Sequence, residues 1–451
     1  MQKNERVSVS ITGMSAEGHG VGRLPDGMTV FVPLTVTGDN AEIVLTKVTK
    51  NYAFGKALSI NFPSPHRIEP DCECFGKCGG CAYRHIDYEF EKSIKTQKIA
   101  DALLRIGGFD VKLSSIIGAE CIDRYRNKAQ LPVSPGANGP QIGFYAARSH
   151  RIVNTDRCPL SPEVFESITL TVRRWMTENG VSAYDEAAHT GTVRHIYIRQ
   201  GVNTGEIMVC LIVNSDSVRC AEQLAERLRE NKNIHSVMLN INKTKGNVIA
   251  GKKCVTLYGS VTISDTLSGL HFDISPLSFY QVNPRQAERL YEKAAEYAGL
   301  TGSETVLDLY CGAGTIGLTM ASKSKRIIGV EIVPEAVGDA KNNALKNGIT
   351  NAEFIASDAK TAARMIEKQG IKPDVIIVDP PRKGCEPEVI EAMLDILPER
   401  IVYVSCDPAT LARDLKALCE SSYELRKVTP VDMFPRTSHV ETITLLQRCD
   451  T

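Results

Sequence analysis

Apolar and polar residues alternate near the start of the chain, as in Val7-Ser8-Val9-Ser10-Ile11, and strand-like runs follow at Val30 to Val36 and Ile43 to Val48. A period of two marks half-buried strands. Gly18, Gly20, Gly22, Gly27 and Gly38 break these runs where turns are needed. Short strands with glycine turns predict a small OB-like β-barrel over residues 1–59, of the kind that binds oligonucleotides.

A joint at Pro63-Ser64-Pro65 opens a second region, residues 60–275. It begins with Cys72, Cys74, Cys78 and Cys81 and continues into a predicted helix from Tyr88 to Ile106, with Ile99, Leu103 and Ile106 on one face and Gly107-Gly108 as its stop. From about Tyr125 to Asp273 the pattern is mostly strand-like, as in Ile207 to Val213 and Ser236 to Ile241. This predicts a mixed, mainly β middle domain. The third region, residues 276–451, changes to a regular alternation of strand and helix. Val306 to Leu309, Ile327 to Val330, Val375 to Val378 and Ile401 to Val404 are short buried strands, each followed by helix-like sequence. That pattern predicts an α/β, doubly wound, Rossmann-like sheet.

The 451 residues carry 53 basic and 53 acidic side chains, so a uniformly basic nucleic-acid coat is excluded while local basic patches are not. Neither a membrane-spanning run nor the apolar core of a secretory signal is visible, and a cytoplasmic protein is expected. In that compartment the 14 cysteines should be reduced, which makes clustered thiols metal ligands or catalysts before disulfides.

Ligands of open α/β sheets bind at the carboxyl ends of the strands. Four such ends carry reactive or polar residues. Asp308-Leu309-Tyr310-Cys311-Gly312-Ala313-Gly314 closes the first strand, and Gly312, Gly314 and Gly317 satisfy GxGxxG, a motif that admits a dinucleotide as readily as an adenosyl ligand. Glu331 follows about twenty residues on, where a carboxylate can bind ribose hydroxyls. Asp379-Pro380-Pro381-Arg382 is a stiff loop that fixes the Asp379 carboxylate beside the cleft. Cys406 lies between Ile401-Val402-Tyr403-Val404-Ser405 and a helix-like Ala409 to Leu418. By itself such a thiol is more often core than nucleophile. Glu441, at the start of the last strand, would lie beside it.

At these residues the chain resembles the bacterial RNA uracil-5-methyltransferases. The matching pieces are Phe279-Tyr280-Gln281-Val282-Asn283-Pro284, Asp308 to Gly314, Gly329-Val330-Glu331, Asp379 to Arg382, Ser405 to Pro408 and His439-Val440-Glu441, in the family's order. The resemblance assigns Gln281, Tyr310, Glu331 and Asp379 to S-adenosylmethionine, with Asp358 as an adenine contact, Cys406 as nucleophile and Glu441 as base. Thr315 departs from the asparagine of several relatives and carries no assignment. Residues to about Ser59 resemble the TRAM RNA-binding barrel of the ribosomal RNA branch. Cys72, Cys78, Cys81 and Cys158 match that branch's iron–sulfur ligands; four thiolates alone would suit zinc or a [4Fe–4S] cluster, and the resemblance selects the cluster. Cys74 is an extra thiol.

The implied reaction explains the residue types. Uracil C5 is a weak nucleophile until a thiolate adds at C6, and the C5 proton must then be removed by a base. The expected substrate is 23S ribosomal RNA, with transfer RNA as the alternative, and the expected oligomeric state is a monomer. An NAD-dependent oxidoreductase would leave Asp379 to Arg382, Cys406 and Glu441 without a role. A non-catalytic RNA-binding or iron–sulfur assembly factor would have no use for Cys406 and Glu441. Two basic groups, Arg124, Arg126 and Lys128 around Tyr125, and Arg148, His150 and Arg151, are candidate phosphate contacts, with Arg382 and Lys383 beside the catalytic loop.

Overall fold

The computed structural model describes residues 1–449. Five strands, β1 (Arg6–Met14), β2 (Gly20–Arg23), β3 (Thr29–Val32), β4 (Asn40–Val48) and β5 (Tyr52–Phe62), close into a barrel in the order β1-β2-β3-β5-β4. Inward residues such as Val9, Ile11, Val30, Val32, Ile43 and Leu45 fill it. The last strand runs past residue 59, and its alternation was hidden by a mixture of aromatic, lysine and small residues.

The middle domain is a seven-stranded sheet built from β6 (Lys128–Ser134), β7 (Gln141–Tyr145), β8 (Ile152–Asn154), β9 (Val193–Gln200), β10 (Ile207–Val213), β11 (Ile234–Ile241) and β12 (Lys253–Gly259). Two helices cover one face, α2 (Glu163–Glu178) and α3 (Ala221–Leu228), where the sequence suggested mainly strands. The opposite face joins the hairpin β13 (Ile263–Leu267) and β14 (Leu270–Ile274) in one apolar core with the C-terminal domain.

The C-terminal sheet has the order β17-β16-β15-β18-β19-β21-β20. Its parallel members are β15 (Thr305–Leu309), β16 (Arg326–Glu331), β17 (Ala352–Ala356), β18 (Val375–Val378) and β19 (Arg400–Ser405), while β20 (Tyr423–Val431) and β21 (Glu441–Arg448) run antiparallel to their neighbours. Helices cover both faces, as a doubly wound sheet requires. On one lie α4 (Pro284–Ala298), α5 (Thr315–Met320) and α6 (Pro334–Lys346); on the other lie α7 (Ala359–Lys368), α8 (Pro387–Ile396) and α9 (Pro408–Cys419).

The helix expected over residues 88–106 is α-helical as α1 (Tyr88–Ala102) and then loosens into a π-turn, Leu103–Gly107, closed by Gly108 at φ 77°. Asp87 caps it by accepting from the Phe90 amide at 2.8 Å. Its apolar face, Ile99 and Leu103, packs into the catalytic sheet's core. The chain then bonds along β20, the Ile117 amide donating to Pro430 and the Asp432 amide to Ile117, each at 2.9 Å. Residues 88–117 therefore pack with the C-terminal domain, although sequence placed them in the middle one.

Candidate active site

Register along β19 and β21 pairs Ser405 with Thr442, so the next step up the sheet brings Cys406 opposite Glu441. Both lie at the carboxyl end of the parallel strands, beside the loop that follows β18. Pro408 occupies the first turn of α9 and Asp407 caps it, accepting from the Ala409 and Thr410 amides at 3.0 Å. This fixes the Cys406 backbone just ahead of a helix N-terminus, whose dipole favours a thiolate. Burial is the larger influence here and pushes the Cys406 thiol up to about 12, with Glu441 and Asp379 adding to the rise and Arg382 opposing it.

The loop from Asp379 to Cys385 is pinned to α9. Asp414 accepts from the Cys385 amide at 2.8 Å and the Tyr403 hydroxyl at 2.6 Å, Arg413 donates to the Lys383 and Cys385 carbonyls, and Thr410 donates to that of Arg382. Lys383 points away, to an exposed pairing with Glu386.

Carboxylates concentrate below this loop. Burial raises Asp379 to about 7 and Glu441 to about 8, the latter with a further push from Asp379. Asp308 is also raised to about 7, by burial first and then by Asp379 and Glu331. One Asp308 oxygen accepts the Gly317 amide at 3.0 Å; the other is buried without a hydrogen-bond partner. Such crowding of acids disfavours their charged forms and suits a cationic ligand. The S-adenosylmethionine sulfonium is a cation, so these residues fit that group.

The remaining predicted cofactor residues border the same acids. Glu331 accepts from the Gly312 amide at 3.2 Å and the Val333 amide at 2.9 Å, which aims its carboxylate across the glycine turn. Tyr310 holds a left-handed backbone at φ 61°, a conformation non-glycine residues adopt only under constraint. A side chain at Gly317 would meet Asp308 Oδ2 at 2.8 Å, so only glycine permits this approach. Gln281 bonds Tyr291, whose hydroxyl also meets Thr315 at 3.1 Å. Its carbonyl accepts from Asn127 at 3.0 Å, tying the middle domain to the site. Asp358 is exposed at the end of β17 and bonds the Thr361 amide at 2.9 Å; it adjoins Glu331 through the Ser357 amide, which donates to the Glu331 carbonyl at 3.0 Å.

Above Cys406 opens a cleft of about 790 Å³. Its walls come from three distant parts of the chain: Thr12 to Glu17 of the barrel, Phe90 to Ile106 of the α1 region, and Arg382, Cys406 to Ala409, Ser438 and His439. Lys98 of α1 donates to the Ser438 carbonyl at 3.0 Å. His439 lies 3.5 Å from Arg382 and is held near 4, by burial first and then by Arg382, Lys98 and Arg126. Basic groups thus line the cleft beside Cys406. Lys98 and His439 escaped the sequence reading as cleft residues, because nothing local in α1 signals contact with a loop over 300 residues away.

Other predicted basic residues are spread more widely. Arg124 bonds the carbonyls of Cys158 and Ser161 and pairs with Glu163, so it supports a loop. Arg126 reaches Tyr125 and leaves its buried Nε without a partner. Lys128 is lowered to about 8 by burial, Arg199 and Arg126. His150 pairs with Glu186.

The four predicted cluster cysteines are neighbours. The Cys158 thiol helps raise Cys72, Cys78 and Cys81, behind burial as the main cause, with Cys78 near 11 and Cys81 near 12. The thiol set suits a thiophilic centre. Among the described residues, however, no group of three or more His, Cys, Asp or Glu side chains is arranged to hold a metal ion. The expected iron–sulfur site is thus not shown among the described residues. No helix is long and apolar enough to cross a membrane among the described residues.

Comparison with known proteins identifies the family. Residues 201–449 match the tRNA (Uracil-5-)-methyltransferase family and residues 2–58 the TRAM domain. An "uncharacterized RNA methyltransferase" of Clostridium tetani is 45% identical over 99% of this chain and 97% of its own length. A protein of the same designation from Halalkalibacterium halodurans is 43% identical over 99% and 98%. The crystal structure of Pyrococcus abyssi tRNA (uracil-54, C5)-methyltransferase with S-adenosyl-L-homocysteine superposes with a TM-score of 0.77, at 26% identity, covering 98% of this chain and 100% of that one. With its doubly wound sheet, its N-terminal barrel and these matches, the chain belongs to the tRNA (uracil-5-)-methyltransferase family of RNA methyltransferases.

Proposed function

We propose that the protein methylates uridine C5 in 23S ribosomal RNA, with S-adenosylmethionine as donor and Cys406 as a transient covalent nucleophile. The observation that carries the mechanism is the strand register that sets Cys406, on the wall of a cleft shared with the barrel, opposite Glu441. S-adenosylmethionine supplies an electrophilic methyl group. Gln281, Tyr310, Glu331 and Asp379 would hold it, with Glu331 at the ribose and Asp358 at the adenine edge. The Cys406 thiolate adds to C6, and the C5–C6 π pair moves towards O4 as an enolate. C5 then takes the methyl carbon as its bond to the sulfonium sulfur breaks, the electron pair staying on sulfur as the neutral thioether of S-adenosylhomocysteine. Glu441 accepts the C5 proton, C5–C6 unsaturation returns and the C6–S bond breaks, releasing the thiolate.

Cys406→Ala should abolish methylation while S-adenosylmethionine binding persists; turnover in that variant would refute the covalent step. Glu441→Gln should leave a protein–RNA adduct that migrates slowly in a denaturing gel, and free methylated product would refute its role as base. Cys72, Cys78, Cys81 and Cys158 carry the proposal of a structural [4Fe–4S] cluster, which rests on the family resemblance and on the mutual influence of neighbouring thiols and is involved in no catalytic step. Anaerobically purified protein should contain iron and sulfide; a colourless protein holding zinc would refute it.

Transfer RNA is the second reading, favoured by the overall likeness to the Pyrococcus abyssi enzyme. Nucleoside mass spectrometry of both RNA classes from a deletion strain separates the two. Loss of 5-methyluridine from 23S RNA alone supports the first, and loss from transfer RNA alone supports the second.

A further inference from the structure

The outer face of the barrel carries a group of rings that the catalytic cleft does not use. Val30, Val32 and Ala53 are fully buried in the barrel core, so the alternating residues Phe31, Tyr52 and Phe54 face outwards. Parallel pairing of β3 with β5 sets Thr29 beside Tyr52 and Phe31 beside Phe54. Ring centroids are 6.0 Å apart for Phe31 and Tyr52, 5.5 Å for Phe31 and Phe54, and 5.8 Å for Tyr52 and Phe54. Tyr52 is 38% exposed and the two phenylalanines are half-buried.

Cations frame these rings. Lys47 lies opposite Phe54 on β4, Arg23 lies opposite Thr29 on β2, and Lys56 is exposed on β5 one outward position beyond Phe54. The group is also continuous with the cleft. His19 adds a fourth ring, 6.3 Å from Phe54. Its carbonyl accepts from the Ser15 amide at 2.7 Å, and its own amide donates to Ser15 Oγ at 3.1 Å. That turn supplies Ser15, Ala16 and Glu17 to the wall above Cys406.

We propose that Phe31, Tyr52 and Phe54 form a base-stacking platform for the single-stranded RNA that flanks the target uridine outside the catalytic cleft. The inference rests on the RNA-methylation reading. Rings interleaved with lysine and arginine match what single strands need: stacking that tolerates any base, and cations that follow the backbone. Lysine is depleted in protein–protein interfaces, which weighs against a protein occupant.

The test uses full-length protein and two single-stranded RNAs, one confined to the target uridine's immediate neighbours and one extended on both sides. In the triple variant Phe31→Leu, Tyr52→Leu, Phe54→Leu, leucine keeps apolar bulk and removes the π-face. Affinity for the extended RNA should fall about tenfold for each lost stack, while methylation of the short RNA is retained. The single variant Tyr52→Leu, at the most exposed ring, should show the same effect at smaller size should the triple variant fold poorly. Unchanged affinity for the extended RNA in both variants would overturn the platform and reassign the face to a protein partner. Wild-type protein that methylates neither RNA would overturn the functional reading itself, an outcome the variants cannot mimic.

Discussion

Burial favours the uncharged forms of Cys406 and Glu441, yet the proposed reaction needs both charged at different moments. Glu441, raised to about 8, accepts a proton only as a carboxylate. Single-turnover methylation should therefore rise from pH 6 to pH 9, and Arg382→Met, which removes a nearby cation, should move the rise to higher pH. A flat profile would exclude Glu441 as the base. The same acids affect stability. Asp308, Asp379 and Glu441 have raised folded values, so their stabilising influence is full below the ordinary carboxyl range near ~4 and is lost as pH rises through about 7 to 8. A sulfonium bound among them reverses that loss. Thermal melting should show S-adenosylmethionine stabilising the protein more at pH 8.5 than at pH 6, whereas the uncharged thioether S-adenosylhomocysteine should show a smaller change between the two. Equal shifts for both ligands at both pH values would refute the electrostatic account.

At the scale of elements, α1 and the loop before β21 are joined by a buried ionic network. Lys95 is fully buried and donates to Glu91 and Asp432 at 2.7 Å and to the Phe434 carbonyl at 3.1 Å. Tyr88 bonds Asp432 at 2.8 Å, and the Arg436 amide donates to Glu91 at 2.7 Å. This network fixes the segment that carries Ser438 and His439 into Glu441. Lys95→Met leaves buried Asp432 without its cation and Glu91 with only the Arg436 guanidinium at 3.6 Å, and should cost about 3–5 kcal/mol in chemical denaturation; a loss below about 1 kcal/mol, the range of surface pairs, would show that the network is solvated. None of this was legible in the sequence, because Glu91 and Lys95 meet Asp432 only after folding. The catalytic strands were legible because parallel strands buried on both faces are unbroken apolar runs. In α2 the helical spacing of Phe165, Ile168, Val172, Trp175 and Met176 was masked by β-branched Thr169, Thr171 and Val172. The floor of the site was readable for a similar reason to the strands, since each acid ends one of them. Its walls were not, because they meet only after folding.

Across the whole molecule, 53 basic and 53 acidic residues cancel, so no long-range field draws a polyanion towards the enzyme. Attraction must come from local groups, and the structure places Lys98 and Arg382 at the cleft mouth, with Arg23, Lys47 and Lys56 on the barrel. For single strands each neutralised phosphate contributes about −0.7 to the slope of log affinity against log salt. Five such groups predict a slope no steeper than about −3.5. Lys98→Met should flatten it by about 0.7, because the charge lost would face a phosphate rather than a base. The measurement is binding of extended single-stranded RNA from low to physiological salt. A wild-type slope near −7, about twice that limit, would mean that phosphates are gripped far beyond these five groups. A Lys98→Met slope equal to wild type would mean that this lysine serves only the Ser438 carbonyl. A shallow slope also leaves most of the affinity to stacking and to short-range contacts with the target uridine, so specificity would arise from fit among the barrel, α1 and the catalytic loop. That explains why one molecule brings those three parts of the chain together over Cys406.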